Sequence, residues 1–177
     1  MVKQLLTAVC VLFFIGSGCS KKMSEEQLFA EAQKFEAKED IDGALKIYEE
    51  LNMRFPGSPN ADSVLQKLGM IYLNKKAQFD KAVATYERIV EKFPQSKYLP
   101  QSMFMIGYIY ANHIKNFDKA KTYYDQFIAK YPEHELTASV QWELQHLGKD
   151  ISEINIFDGA QNTEGKTNGA TETSAKP

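Results

Sequence analysis

The side chains of this sequence that could act as a thiol nucleophile, a thiolate metal ligand or an imidazole base are Cys10, Cys19, His113, His134 and His146. Nucleophilic catalysis needs a base within hydrogen-bond reach of the nucleophile. A structural zinc site needs about four nitrogen or sulfur ligands in tight local spacing. Both cysteines fall in the first twenty residues with no histidine near them, and the three histidines share no ligand-like spacing. There is no Gly-rich phosphate loop, no nucleophile elbow and no pair of metal ligands on one helix face. Acidic side chains are plentiful, but they read as helix surface. The expectation is therefore no enzyme, no metal and no cofactor. Formal net charge is −2, and the basic residues are scattered rather than clustered. No strong field is available to draw in nucleic acid.

The chemistry left to explain is that of Cys19. The chain opens "MVKQLLTAVCVLFFIGSGCSKK", with Lys3, an apolar run from Leu5 to Ile15, and then small residues. This is the charged, apolar and small-residue order of a secretory signal. The apolar run falls short of the ~20 residues that span a bilayer. Ser17, Gly18 and Cys19 resemble the cleavage box of bacterial lipoproteins, with Gly16 where that family prefers Leu. The resemblance implies that residues 1–18 are removed, taking Cys10 with them, and that the Cys19 thiol carries a diacylglycerol. Several acyl chains anchor firmly, because each buried methylene contributes ~0.8 kcal/mol. Ser20 is not the Asp that retains enteric lipoproteins at the inner membrane. By resemblance this implies the outer membrane, facing the periplasm. "KKMS" leaves only a short tether over residues 19–23.

The rest of the chain must position whatever this anchor holds. "IDGALKIYEELNMRFP" (41–56), "FDKAVATYERIVEKFP" (79–94) and "FDKAKTYYDQFIAKYP" (117–132) begin 38 residues apart. In the second copy Ala82, Tyr86, Ile89, Val90 and Phe93 fall on one helical face, and Pro94 forbids continuation. A second helical segment precedes each copy: "EEQLFAEAQKFEAK", "SVLQKLGMIYLN" and "SMFMIGYIYAN". Ser24 with Gln27 has the form of a capping box. Gly in mid-helix costs about 1 kcal/mol relative to Ala, so Gly69 and Gly107 imply close helix packing. We call the first helix of each unit A and the second B.

Gly69, Tyr72, Ala82, Tyr86 and Pro94 resemble the tetratricopeptide signature. So do Gly107, Tyr110, Ala120, Tyr124 and Pro132, and so do Ala32, Phe35, Ala44, Tyr48 and Pro56. The resemblance implies an all-α right-handed superhelix of helical hairpins over residues 24–148. It would hold three repeats and a C-terminal capping helix, "ELTASVQWELQHLG", ending at Gly148. A hairpin cannot bury its own apolar face, so neighbours must stack on it. At the start of the stack Glu31 and Lys34 stand where the second copy has Leu68 and Ile71, as suits a helix with no neighbour on that side. "DISEINIF" packs on the cap or frays. The remainder of 149–177 lacks core-forming residues and reads as disordered.

In the tetratricopeptide family the A helices line a concave groove. The resemblance places Phe29, Gln33, Gln66, Met70, Phe104, Tyr108, Trp142 and His146 along it, with Asn74 and Asn112 able to bond a bound backbone. The Lys, Arg and Asn clamp by which some members hold a terminal carboxylate is absent. Aromatic and apolar rows with amide edges suit a protein or peptide partner bearing apolar anchors, not a small-molecule substrate. The lipoprotein box together with "FPGS" and "FPQS" resembles the BamD-type lipoproteins of outer-membrane β-barrel assembly, and also the repeat half of YbgF-type periplasmic proteins. It implies a lipid-anchored envelope scaffold. A Tol–Pal coordinating role and a self-associating spacer stand as alternatives.

Overall fold

The computed structural model describes residues 22–149. The expected signal segment, Cys10, Cys19, and the expected tail from residue 150 onward lie outside the described residues. The described chain is helical, with no strand among these residues. Three antiparallel hairpins follow one another: α1 (Glu25–Ala37) with α2 (Ile41–Arg54), α3 (Ala61–Asn74) with α4 (Phe79–Lys92), and α5 (Leu99–Ile109) with α6 (Phe117–Lys130). A single helix, α7 (Thr137–Gln145), closes the stack. Each helix packs on the one before it and the one after it, the nearest-neighbour architecture of a tetratricopeptide solenoid.

The helix starts follow local chemistry. The Ser24 hydroxyl accepts from the Gln27 N–H, and the Gln27 side chain accepts from the Ser24 N–H at 2.9 Å, a complete capping box. The Asp40 carboxylate accepts from the Gly43 N–H at 2.9 Å, and the Asn116 side chain from the Lys119 N–H at 3.1 Å. Their counterpart in the second hairpin, Gln78, makes no such cap. Its extra methylene does not suit the short ring that Asp and Asn close. α5 begins at Leu99, earlier than the expected "SMFMIGYIYAN", because Pro100 is tolerated in a first turn.

The links between hairpins repeat atom for atom. The N–H groups of Ser58, Ser96 and His134 donate to the carbonyls of Phe55, Phe93 and Tyr131, and those of Ala61, Leu99 and Thr137 to Ser58, Ser96 and His134. In the last two links a side chain closes the turn. The Ser96 hydroxyl accepts from the Tyr98 N–H at 3.0 Å, and His134 Nδ1 from the Leu136 N–H at 3.1 Å. This gives the "P-x-S" motif, and its variant "PEH", a local physical role.

The turns inside the hairpins each contain a non-glycine residue in the left-handed region: Glu39, Ala77 and Lys115, at φ of 58°, 48° and 61°. The Asp40 N–H returns to the Phe35 carbonyl. With one more residue in the turn, the Gln78 and Asn116 N–H groups return to Tyr72 and Tyr110. In the third hairpin this wider closure winds Tyr110–Ile114 into a π-helical turn.

The core is a ladder of tyrosines. Tyr48, Tyr86 and Tyr124, one per B helix, are fully buried with Ala44, Ala82 and Ala120 beside them in the same cluster. A Cβ added to Gly69 would lie 2.6 Å from the Tyr86 ring, and one added to Gly107 would lie 2.5 Å from the Tyr124 ring. Those glycines exist because the tyrosine ring occupies the space a side chain would need. Gly43 has the same role toward the Phe35 ring, which the tetratricopeptide pattern did not single out. At the outer face of α1, Glu31 and Lys34 form a surface ion pair at 3.0 Å, whereas Leu68 and Ile71 are buried. α7 stops at Gln145 rather than at Gly148. The chain then turns through Gly148 at φ 79°, a conformation glycine adopts without strain.

Candidate functional site

Of the expected groove residues, Phe29, Gln33, Gln66, Met70, Asn74, Phe104, Tyr108 and Trp142 lie on the A helices α1, α3, α5 and α7, Asn112 lies in the π turn, and His146 lies just past the end of α7. Polar bonds tie these helices to one another. The Lys67 ammonium donates to both Glu36 oxygens at 3.0 Å, linking α3 to α1. Gln66 Nε2 donates to Gln101 Oε1 at 3.0 Å, linking α3 to α5. The Asn112 amide donates to Glu143 at 3.3 Å, linking the π turn to α7. Lys67, Gln101 and Glu143 were not singled out from the sequence. Their signal was weak, since ordinary polar residues on helices normally face water and only the stack brings them across to one another.

Between these ties lie two hollows of about 270 Å³ each. One is bounded by Phe29, Gln66, Met70, Tyr98 and Gln101 together with Lys67, the other by Gln101, Phe104, Met105 and Leu136 together with Lys97 and Glu135. The predicted residues fall into three kinds of environment. Met70 and Trp142 are open, at 44% and 49% exposure. The Trp142 indole stacks on His146 at 4.4 Å, and His146 Nδ1 lies 2.7 Å from the Trp142 carbonyl, so the pair is held as one flat surface.

Phe29, Phe104 and Tyr108 are half-buried. Phe29 meets Tyr48 edge-on at 6.1 Å, and Phe104 sits 6.2 Å from both Tyr108 and Tyr124. These three therefore pack on the core with one side and line the row with the other. Gln66 differs: it is only 5% exposed, and its Oε1 is buried with no partner. An unpaired buried acceptor costs about 1–3 kcal/mol of desolvation. Gln33 and Asn74 are exposed, whereas Asn112 is occupied by the Tyr108 carbonyl and Glu143.

Electrostatics within the hairpins acts mainly on tyrosines. Burial pushes the phenols of Tyr48, Tyr86 and Tyr124 well above their ordinary range, and nearby Glu36 and Glu143 carboxylates push Tyr48 and Tyr124 further. Tyr72 and Tyr123 are raised in the same way, each donating to a carboxylate, Glu49 at 2.6 Å and Glu87 at 2.9 Å. All five stay protonated at neutral pH. Tyr72, Tyr123 and Tyr124 donate to carboxylates on neighbouring helices and so fasten the stack, whereas the buried Tyr48 hydroxyl has no hydrogen-bond partner.

What the arrangement can do is present apolar and aromatic side chains, Met70 and Trp142 the most open of them, along a stack of helices. No curated protein matches the chain. Residues 21–156 match the family described as YfiO, outer membrane lipoprotein. That match begins just after Cys19, runs through every described helix and takes in well over half of the sequence. The chain belongs to the YfiO family of outer membrane lipoproteins.

Proposed function

We propose that this protein is a non-catalytic scaffold, lipid-anchored through Cys19 at the periplasmic face of the outer membrane. On this reading it binds another envelope protein along the A-helix row, in the service of outer-membrane protein assembly. Family membership supports the compartment and the envelope role. The observation that carries the binding role is the open apolar surface at two places on the A helices: Met70, which lines the hollow shared with Phe29, and the Trp142–His146 stack on α7 and its end. Large side chains left half in water on a scaffold that packs its other aromatics tightly are the usual anchors of an interface.

The partner is identified by crosslinking in the native envelope from photoreactive groups at positions 70 and 142. Met70→Ala with Trp142→Ala is then expected to weaken its binding by at least 2 kcal/mol, roughly thirtyfold, with helicity and melting unchanged. Binding should depend only weakly on salt, since the row carries few charges. A folded double variant that binds as tightly as the parent would show that the partner uses another surface.

A further inference from the structure

A different surface opens where the chain enters the repeat domain. A concavity of about 780 Å³ there is lined by Lys22, Met23, Lys46, Glu50, Met53 and Arg54, and by Glu49, which accepts from the Tyr72 hydroxyl. Met53 is 76% exposed and Met23 37% exposed, and no helix of the stack covers them. The counterparts of Met53 are Glu91 in the second hairpin and Ala129 in the third, so a large exposed apolar side chain at this place is particular to the first hairpin. Arg54 fixes the entering chain here. Its guanidinium donates to the Met23 carbonyl at 2.6 Å and to Glu50 at 2.6 Å. Arg54 and Glu50 thereby satisfy each other. Among the described residues neither Lys22 nor Lys46 is in an ion pair.

The position of Cys19 turns this patch into a site. The three residues from Cys19 to Lys22 reach at most ~11 Å even when fully extended. The polar headgroup layer of one leaflet is ~5–8 Å thick. Even from a Cys19 at the hydrocarbon boundary, full extension would carry Lys22 only ~3–6 Å beyond the headgroup layer, and Arg54 clamps α2 to that same point. We propose that the α2 face around Met53 is a bilayer-contact surface. Met23 and Met53 would sit at the headgroup boundary, where flexible thioether chains adapt to a disordered surface. Lys22 and Lys46 would face anionic phospholipid headgroups. The anchor would then orient the solenoid as well as tether it. This inference rests on the lipid at Cys19.

The test uses the full-length lipoprotein reconstituted into vesicles of phosphatidylcholine with phosphatidylglycerol. After processing, the chain retains no free thiol, so Met53→Cys or Glu91→Cys carries a single environment-sensitive fluorophore. A nitroxide on the lipid headgroup should quench the label at 53 and spare the label at 91. Adding Lys46→Ala, or replacing the phosphatidylglycerol with phosphatidylcholine, should weaken that quenching. The expected loss of surface affinity is about fivefold per basic residue. Equal quenching at 53 and 91 in protein that floats with the vesicles would overturn the contact surface and leave the anchor intact. A label at 53 shielded from aqueous iodide yet untouched by the lipid nitroxide would also overturn it, and would assign the face to a protein or a second copy. Protein that fails to float would overturn the anchor, and the contact surface with it.

Discussion

Tyr124 and Trp142 are both large aromatic residues on helices of the same stack, yet one is fully buried and the other is half in water. Tyr124 lies in the seam between the helices of the third hairpin, where its ring fills the space left by Gly107. Trp142 lies on the outward row of the A helices, supported only by His146 on one ring face. The seam repeats with the same residue types at a strict register, Tyr48, Tyr86 and Tyr124. The row changes type from unit to unit, from Phe29 through Gln66 and Phe104 to Trp142. Stacking demands that every seam be built alike. The row is free of that demand, and on the proposed function it is shaped by the partner.

The contrast breaks first if the two aromatics contribute alike to stability. Tyr124→Ala should lower unfolding free energy by about 3–5 kcal/mol, the cost of truncating a buried aromatic. Trp142→Ala should stay within about 0.5 kcal/mol of the parent, as surface changes do. Urea unfolding of the two variants measures this directly, and similar losses in both would make Trp142 part of the core.

Gly107→Leu attacks the seam from the other helix. Its side chain has to displace the Tyr124 ring, which a Cβ alone would approach to 2.5 Å. A loss of about 1–3 kcal/mol is expected from such overpacking. Gly57 is the control, because nothing lies within 4 Å of a Cβ built there. Gly57→Ala should leave the urea midpoint unchanged, and a comparable loss there would show that glycine flexibility, not ring packing, governs both sites.

The seam also carries a pH signature. Burial raises the phenol pKa of Tyr48, Tyr86 and Tyr124 in the folded chain. Unfolded tyrosines ionise near ~10. Below that pH both states hold the same phenolic protons, so stability is intact. Above it the unfolded chain loses protons that the folded chain keeps, and stability falls as pH rises toward the folded values. The urea midpoint should therefore be insensitive to these phenols up to about pH 10 and decline beyond it. Tyr86→Phe, which removes a buried hydroxyl raised by desolvation alone, should make that decline shallower.

The seam was legible in the sequence and the row only partly so. Ala, Gly and Tyr at a fixed register report a steric constraint internal to the chain, and the stack realises it at Gly69–Tyr86 and Gly107–Tyr124. The prolines located the ends of α2, α4 and α6 because ring geometry forbids helix there regardless of context. Row positions could be counted out from the register, but their environments could not. Gln66 is buried because Gln101, on another helix, reaches across to it, and the half-burial of Phe104 depends on Tyr124 beneath it. The early end of α7 escaped notice because "ELQHLG" has good helix formers up to the glycine. Gly148 then takes a left-handed turn over the Phe117 ring, a contact between segments that no local pattern announces.

The smallest effect expected concerns the turn that closes each seam. Ala77 is exposed and left-handed at φ 48°, between α3 and α4. An L-residue there costs roughly 1–2 kcal/mol relative to a right-handed conformation. Glycine removes that cost but gives back about 0.5–1 kcal/mol in chain entropy. The closure itself, from the Gln78 N–H to the Tyr72 carbonyl at 2.8 Å, is made by neighbouring backbone and is untouched by the change. Ala77→Gly should therefore raise stability by about 0.5–1 kcal/mol, the difference of those two terms. The urea midpoint should move up with an unchanged slope, since the surface exposed on unfolding stays the same. A lower midpoint would mean that the Ala77 methyl contributes packing that outweighs its backbone strain, and the turn would then belong with the seam rather than serve only to close it.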